Sequence, residues 1–195
     1  MTPLINILIR HKEEREAELK RCFESVESQT YKNWKCIISI EVGIGYITEK
    51  KESYFLPVPS QHFNLHCNDL KKEVNDGYFF YLDDDDYLAS PTVLEELSKH
   101  LFEGALIVQF LRKNNNGRGR DVKKPSDAMI DNKIIKKGMI GGGCAIVHHS
   151  FKNVADWQPV QGGDYLWIKE LHDKGVPFKF VPLVLQIADK NNYGK

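Results

Sequence analysis

The apolar positions of this chain fall into short strand-like runs separated by stretches with helical spacing. Leu4 to Ile9 reads as a buried strand and Trp34 to Ile40 as a second. Between them, Glu13 to Gln29 sets Ala17, Leu19, Cys22, Phe23 and Val26 at helical intervals with charges in the gaps. Strand, helix, strand is the unit that forms a parallel pair through a right-handed crossover. Pro57 and Pro59 mark a loop, a short third strand is predicted near Gln61 to Leu65, and Asn68 to Asn75 reads as a helix with Leu70 and Val74 inward. Gly77 ends that helix, and Tyr78 to Leu82 is again strand. Ser90-Pro91-Thr92-Val93 opens a helix with a polar cap and a proline in its first turn, running to about Phe102.

Ala105 to Leu111 is the next apolar strand, followed from Arg112 to Asp127 by Asn, Gly and basic residues that read as a mobile loop. Three glycines precede a strand at Cys144 to Val147, Asp164 to Lys174 is helical, and Phe178 to Leu185 is a final strand that Pro182 assigns to an edge. The alternation predicts an α/β sandwich with a mostly parallel sheet and added strands. Ligands bind such sheets at the carboxyl ends of the strands, where Arg10, Glu41 and the Asp83 to Asp86 group all fall.

Composition narrows the class. The 195 residues fit one domain, and 42% hydrophobic with 28% charged residues is that of a globular protein. Lys plus Arg and Asp plus Glu both number 27, so no global field recruits nucleic acid or an anionic membrane. The four cysteines form no C-x-x-C pair; Cys36 and Cys144 sit in apolar runs as buried thiols. A reducing, cytoplasmic compartment is expected. No run approaches a transmembrane span, although peripheral membrane contact stays compatible with the sequence.

The sharpest chemical feature is Asp83-Asp84-Asp85-Asp86 directly after a strand. Packed side by side, four ionised carboxylates repel one another unless a cation neutralises them. Hard oxygen ligands suit Mg²⁺ or Mn²⁺, which commonly bridge to substrate phosphates. The competing reading is a polar turn with solvated acids.

Taken together and in order, these motifs resemble the nucleotide-sugar glycosyltransferases of family 2, which have the GT-A fold. Ser25-x-x-x-Gln29-Thr30-Tyr31-x-Asn33-Trp34, then Asn68 with Gly77-Tyr78, then Leu82-Asp83-Asp84-Asp85-Asp86, then Gly163-Asp164-Tyr165-Leu166-Trp167 follow the family's sequence of phrases. The likeness spans about residues 3 to 187. It implies a single GT-A domain over 1–195, with about 1–88 binding nucleotide sugar and about 89–195 forming the acceptor side.

The resemblance also implies roles. Asp85 would be the principal ligand of Mn²⁺ or Mg²⁺, with Asp83 assisting or lying near the ribose. Arg10, Glu41, Asn68, Asp83 and Asp84 would contact the nucleotide sugar, a UDP-sugar by preference. Asp164 would be the general base that deprotonates an acceptor hydroxyl on a saccharide or lipid-linked saccharide, giving inversion. Gly142, Gly143 and Trp157 would border the acceptor. The chain departs from the pattern in four places: Ile40-Glu41 stands where two aspartates are usual, Cys67 where an Arg often precedes the Asn, Gly163 where a Glu precedes the base, and Gln186 and Asp189 where some members carry a His metal ligand.

Other readings stay open on the residues alone. Asp164 also suits a helix N-cap, and Trp157 either stacks on a sugar or fills core. Arg10 and Lys12 are nucleotide contacts or an exposed loop. The six basic residues from Arg112 to Lys124 close over a diphosphate or form a plain surface loop. His148 and His149, adjacent in a strand, point to opposite faces and serve packing or surface roles. A metal-dependent nucleotidyltransferase on a related fold and an inactive nucleotide-sugar-binding module are the alternative functions.

Overall fold

Ile5, Ile7 and Ile9 bury one face of the first strand, β1 (Ile5–Arg10), while Leu8 buries the other. A strand apolar on both faces belongs in the middle of a covered sheet. It lies there: β1 pairs in parallel with β2 (Trp34–Glu41) on one side and with β4 (Tyr78–Asp83) on the other. The computed structural model describes residues 2–41, 53–58, 62–113 and 120–189. Over these, the sheet runs β3-β2-β1-β4-β8-β6-β9-β5, with β7 (Val122–Lys124) beside β6. The remaining strands are β3 (Ser53–Val58), β5 (Asp86–Leu88), β6 (Ala105–Lys113), β8 (Ala145–His148) and β9 (Phe178–Asp189).

Helices cover both faces. Cys22 and Val26 of α1 (Glu16–Glu27) and Leu94 and Leu97 of α3 (Val93–Ser98) pack with Ile5, Ile7, Phe80 and Val108. On the opposite face, Cys67 and Leu70 of α2 (Phe63–Lys72) and Trp167 and Ile168 of α5 (Gly163–Asp173) pack with Leu8, Phe79 and Ile107. Among the described residues no helix is long and apolar enough to cross a membrane. The phrase around Gln29 is structural: the buried Gln29 amide donates to the carbonyls of Ser25 and Ser90 and accepts from the Leu94 N–H, joining α1 to α3. Ser25 Oγ accepts from the Leu88 N–H at 3.0 Å, which fixes β5 beside α1.

Several expectations are corrected. The third strand is Ser53–Val58, not 61–65, and includes Pro57. As the edge of the sheet it tolerates a residue without an N–H. Helix α2 starts at Phe63 because His62 caps it, accepting from the Asn64 N–H. Helix α3 ends at Ser98 rather than Phe102. Part of the expected loop after Arg112 is ordered as the end of β6, β7 and α4 (Asp127–Asp131), the last capped by Ser126; residues 114–119 lie outside the described residues. Strand β9 is not an edge, since β6 and β5 flank it. Pro182 falls where the β6–β9 ladder changes register and before β5 joins, so its missing N–H breaks no regular pairing.

Candidate active site

Arg10 ends β1 and stands in register with Asp83, the last residue of β4. The chain then turns at 84–85 and re-enters the sheet as β5 at Asp86. A four-residue turn brings its first and last residues together. It therefore gathers Asp83, Asp85 and Asp86, whose carboxylate oxygens lie within 4.8 Å of one another. Asp85 and Asp86 are buried. Burial first, and then the charge of Asp83, holds both carboxyls above the ordinary range, Asp86 well above it. The second of these causes is the repulsion expected of the run.

Positive groups partly answer it. The Arg10 guanidinium pairs with Asp83, donates to Asn64 Oδ1 at 3.2 Å, and lies 5.1 Å from the Phe63 ring centroid and 5.7 Å from that of Trp157. Arg15 reaches Asp85 at 2.8 Å and Asp84 at 3.1 Å. Arg21 donates to the Asp85 carbonyl at 2.6 Å.

Asp84 faces elsewhere. Its oxygens take the Lys12 N–H at 2.8 Å, His11 Nδ1 at 3.1 Å and Arg15, and its side chain is 2% exposed. It fastens the turn to the loop that follows β1, and it does not line the cavity beside the acids. Asn68, assigned to the nucleotide sugar from the sequence, does not line it either. Its amide donates to the Trp157 carbonyl at 3.0 Å and accepts from the Trp157 N–H at 2.8 Å, so it positions Trp157. Glu41 ends β2; its side chain lies outside the described residues.

The cavity, of about 290 Å³, draws its wall from separate parts of the chain: Arg10, Phe63, Asn64, Asp83 and Asp86 with Gly141 to Gly143, Trp157, Asp164 and Gln186. Trp157 packs in the core and also lines the cavity. Its ring borders the cavity, is 3% exposed, stacks on Trp167 at 5.2 Å and meets Tyr81 edge-on. A Cβ at Gly142 would collide with that ring. Gly142→Ala is therefore expected to cost roughly 1–3 kcal/mol of stability in chemical denaturation, the usual range for overpacking.

Asp164 lies in the first turn of α5, two residues past the N-cap and so not the cap that the sequence also suited. The N-cap is Gly162, whose φ of 80° is left-handed. Asp164 Oδ1 accepts from the Tyr165 N–H at 2.8 Å, and Oδ2 faces Gly141. Burial raises its pKa, opposed by the Tyr165 N–H. Gly163, where the family pattern has Glu, has no room for a side chain: a Cβ there would stand 2.5 Å from Asn64 Nδ2 and 2.6 Å from the Gln158 carbonyl. Asn64 fills that space, donating to the carbonyls of Gln158 and Val160 at 2.9 Å each.

Sequence reasoning missed Asp86, Asn64 and Phe63 as lining residues. The four-residue acidic run held a signal for Asp86, because a turn after Asp83 returns the fourth acid to the first. Asn64 and Phe63 carried none.

No protein-family model matches the chain, and no curated protein matches it significantly. Solved structures do. The chain aligns over 95% of its length with S. aureus TarS at a TM-score of 0.68 and 12% identity. It aligns with the 1–349 fragment of TarS in complex with UDP at 0.71 and 11% over 95% of the chain, and with the UDP-GlcNAc complex at 0.70 and 11% over 97%. The fold is GT-A. TarS is a glycosyltransferase of that fold. The chain spans 36% of the longer TarS chain and about 60% of the fragment.

Proposed function

We propose that this chain is the catalytic domain of an inverting, metal-dependent glycosyltransferase of the family 2 type. It moves a hexosyl group from a UDP-sugar to a hydroxyl of a glycan or glycolipid acceptor. The observation that carries this reading is the placement of Asp83, Asp86 and Asp164 around one cavity. TarS, which has the same fold, has been solved with UDP and with UDP-GlcNAc, and this supports the donor class.

The donor set fits a divalent cation: three carboxylates within 4.8 Å, two of them buried with raised pKa values that a cation would relieve. Asp85, Asp83 and Asp86 would hold Mn²⁺ or Mg²⁺, which when bound neutralises charge on the leaving diphosphate. Arg10 and Arg15 neutralise Asp83 and Asp85 in the ligand-free chain, and the cation would compete with them.

Asp164 takes the proton of the acceptor hydroxyl. The oxygen then attacks the anomeric carbon from the side opposite the nucleotide, the bond from that carbon to the diphosphate oxygen breaks, and its electron pair leaves with UDP. A hydroxyl is a poor nucleophile near neutral pH, so a carboxylate within reach is what the step requires. Burial keeps Asp164 a stronger base than an exposed carboxylate. The four buried, unbridged thiols support a reducing, cytoplasmic setting.

A panel of nucleotide sugars incubated with Mn²⁺ tests the reading. Metal-dependent release of UDP from at least one donor is expected, with an inverted anomeric centre in any transfer product followed by NMR. A panel without metal-dependent binding or turnover would sink it.

A further inference from the structure

The cavity borders a buried polar group that the mechanism does not use. Gln186 is 4% exposed, lines the cavity, and its amide oxygen accepts no hydrogen bond among the described residues. An unsatisfied buried carbonyl costs free energy on the order of 1–3 kcal/mol. The amide has been given room: a Cβ at Gly143 would collide with Gln186 Nε2.

Its place in the sheet limits what it meets. On β9, Ala188 stands opposite Asp86 and Gln186 opposite Leu88. Alternate residues of a strand share a face, so Gln186 sits on the same face as Ala188, roughly 6–7 Å farther from the acids. Its amide lies against Gly143 of the glycine turn. A phosphate oxygen without a proton cannot satisfy an amide oxygen. A hydroxyl can, because it both donates and accepts, as the amide does.

We infer that Gln186 is a specificity-determining residue whose amide hydrogen-bonds a saccharide hydroxyl in this cavity. The inference rests on the glycosyl-transfer reading and adds the group that reads the sugar. The hydroxyl belongs to the donor sugar or to the acceptor, and two arms separate these sources.

In the first arm, calorimetry with Mn²⁺ compares UDP with UDP-glucose or UDP-N-acetylglucosamine, whichever binds more tightly, and with its single deoxy analogues. The wild type is expected to lose about tenfold in affinity for one deoxy analogue, the usual weight of such a bond. Gln186→Met, which keeps length and volume, is expected to erase that penalty and leave the affinity for UDP unchanged. The second arm repeats the comparison with methyl hexosides and their deoxy analogues in the presence of UDP and Mn²⁺; a penalty found only there assigns the hydroxyl to the acceptor. If Gln186→Met does not fold, the ¹⁵N-labelled wild type serves. Its Gln186 side-chain resonance should move with the sugar nucleotide, or with the hexoside, beyond the shift given by UDP alone.

Equal penalties in wild type and variant, no penalty in either arm, a loss of UDP affinity in the variant, or an unmoved resonance would each overturn the inference while glycosyl transfer stands. A wild type that binds no UDP would overturn the glycosyl-transfer reading and this one with it.

Discussion

Asp164→Asn is expected to lower the turnover number for transfer by about 10²–10⁴-fold, the range typical of a positioned general base, while leaving the affinity for UDP within about twofold. The asymmetry follows from the site. Asp164 faces Gly141 in the glycine turn and stands outside the carboxylate cluster, and its side chain accepts a hydrogen bond from the Tyr165 N–H. Asparagine keeps the shape and, through its carbonyl, that bond, but it takes no proton from a hydroxyl. Loss of UDP affinity in parallel with turnover would instead make Asp164 part of the binding surface. The pH profile gives a second check. The base works ionised, and burial raises its pKa. The acidic limb of kcat should therefore lie above the ordinary carboxylate range, with activity rising as pH passes upward through it. In the Asn variant that limb should flatten.

Much of this site was legible in the chain because its signals are strong and local. A strand apolar on both faces, such as Ile5–Arg10, has few alternatives to the centre of a sheet, and the residue after its apolar run then falls at the carboxyl end of the strand, where the cavity lies. The same logic placed Asp83 beside Arg10. What was illegible depended on contacts between distant segments. Asn68 looked like a ligand contact and instead holds the backbone of Trp157, 89 positions away. Asp84 belongs to the acidic run in sequence, yet the pleat and the turn send it into the loop after β1, where His11, Lys12 and Arg15 surround it. Pro57 and Pro182 misled for a shared reason. Proline excludes a regular internal ladder position, but the sheet edge and the change of register between β6 and β9 are both compatible with it. Asn64 was invisible because its role depends on the lack of a side chain at Gly163, across the cavity wall.

Asp85→Ala should abolish metal-dependent turnover and leave the ligand-free protein no less stable, a pairing that separates a cation ligand from a structural acid. The buried Asp85 carboxyl sits against Asp83 and Asp86, and its raised pKa means that the folded chain disfavours its charge. The fold thus binds more protons here than the unfolded chain does. Stability from Asp85 and Asp86 is greatest below the ordinary carboxylate range and falls as pH rises through that range to their raised values. At neutral pH Asp85→Ala removes one repelling charge at the expense of the Arg15 pair, and these changes oppose each other. Mn²⁺ should raise the melting temperature of the wild type at neutral pH, and the increase should fade as pH drops and the acids protonate. In Asp85→Ala both the increase and the cation-assisted uptake of UDP should be gone. Several kcal/mol of leaving-group stabilisation would go with them, equivalent to roughly a thousandfold in rate. A variant that kept the Mn²⁺-dependent shift in melting temperature would place the ion elsewhere, and one that unfolded without metal would make Asp85 a structural partner of Arg15. The two outcomes are read from the same thermal scans, so one experiment decides between a cation site and a buried ion pair.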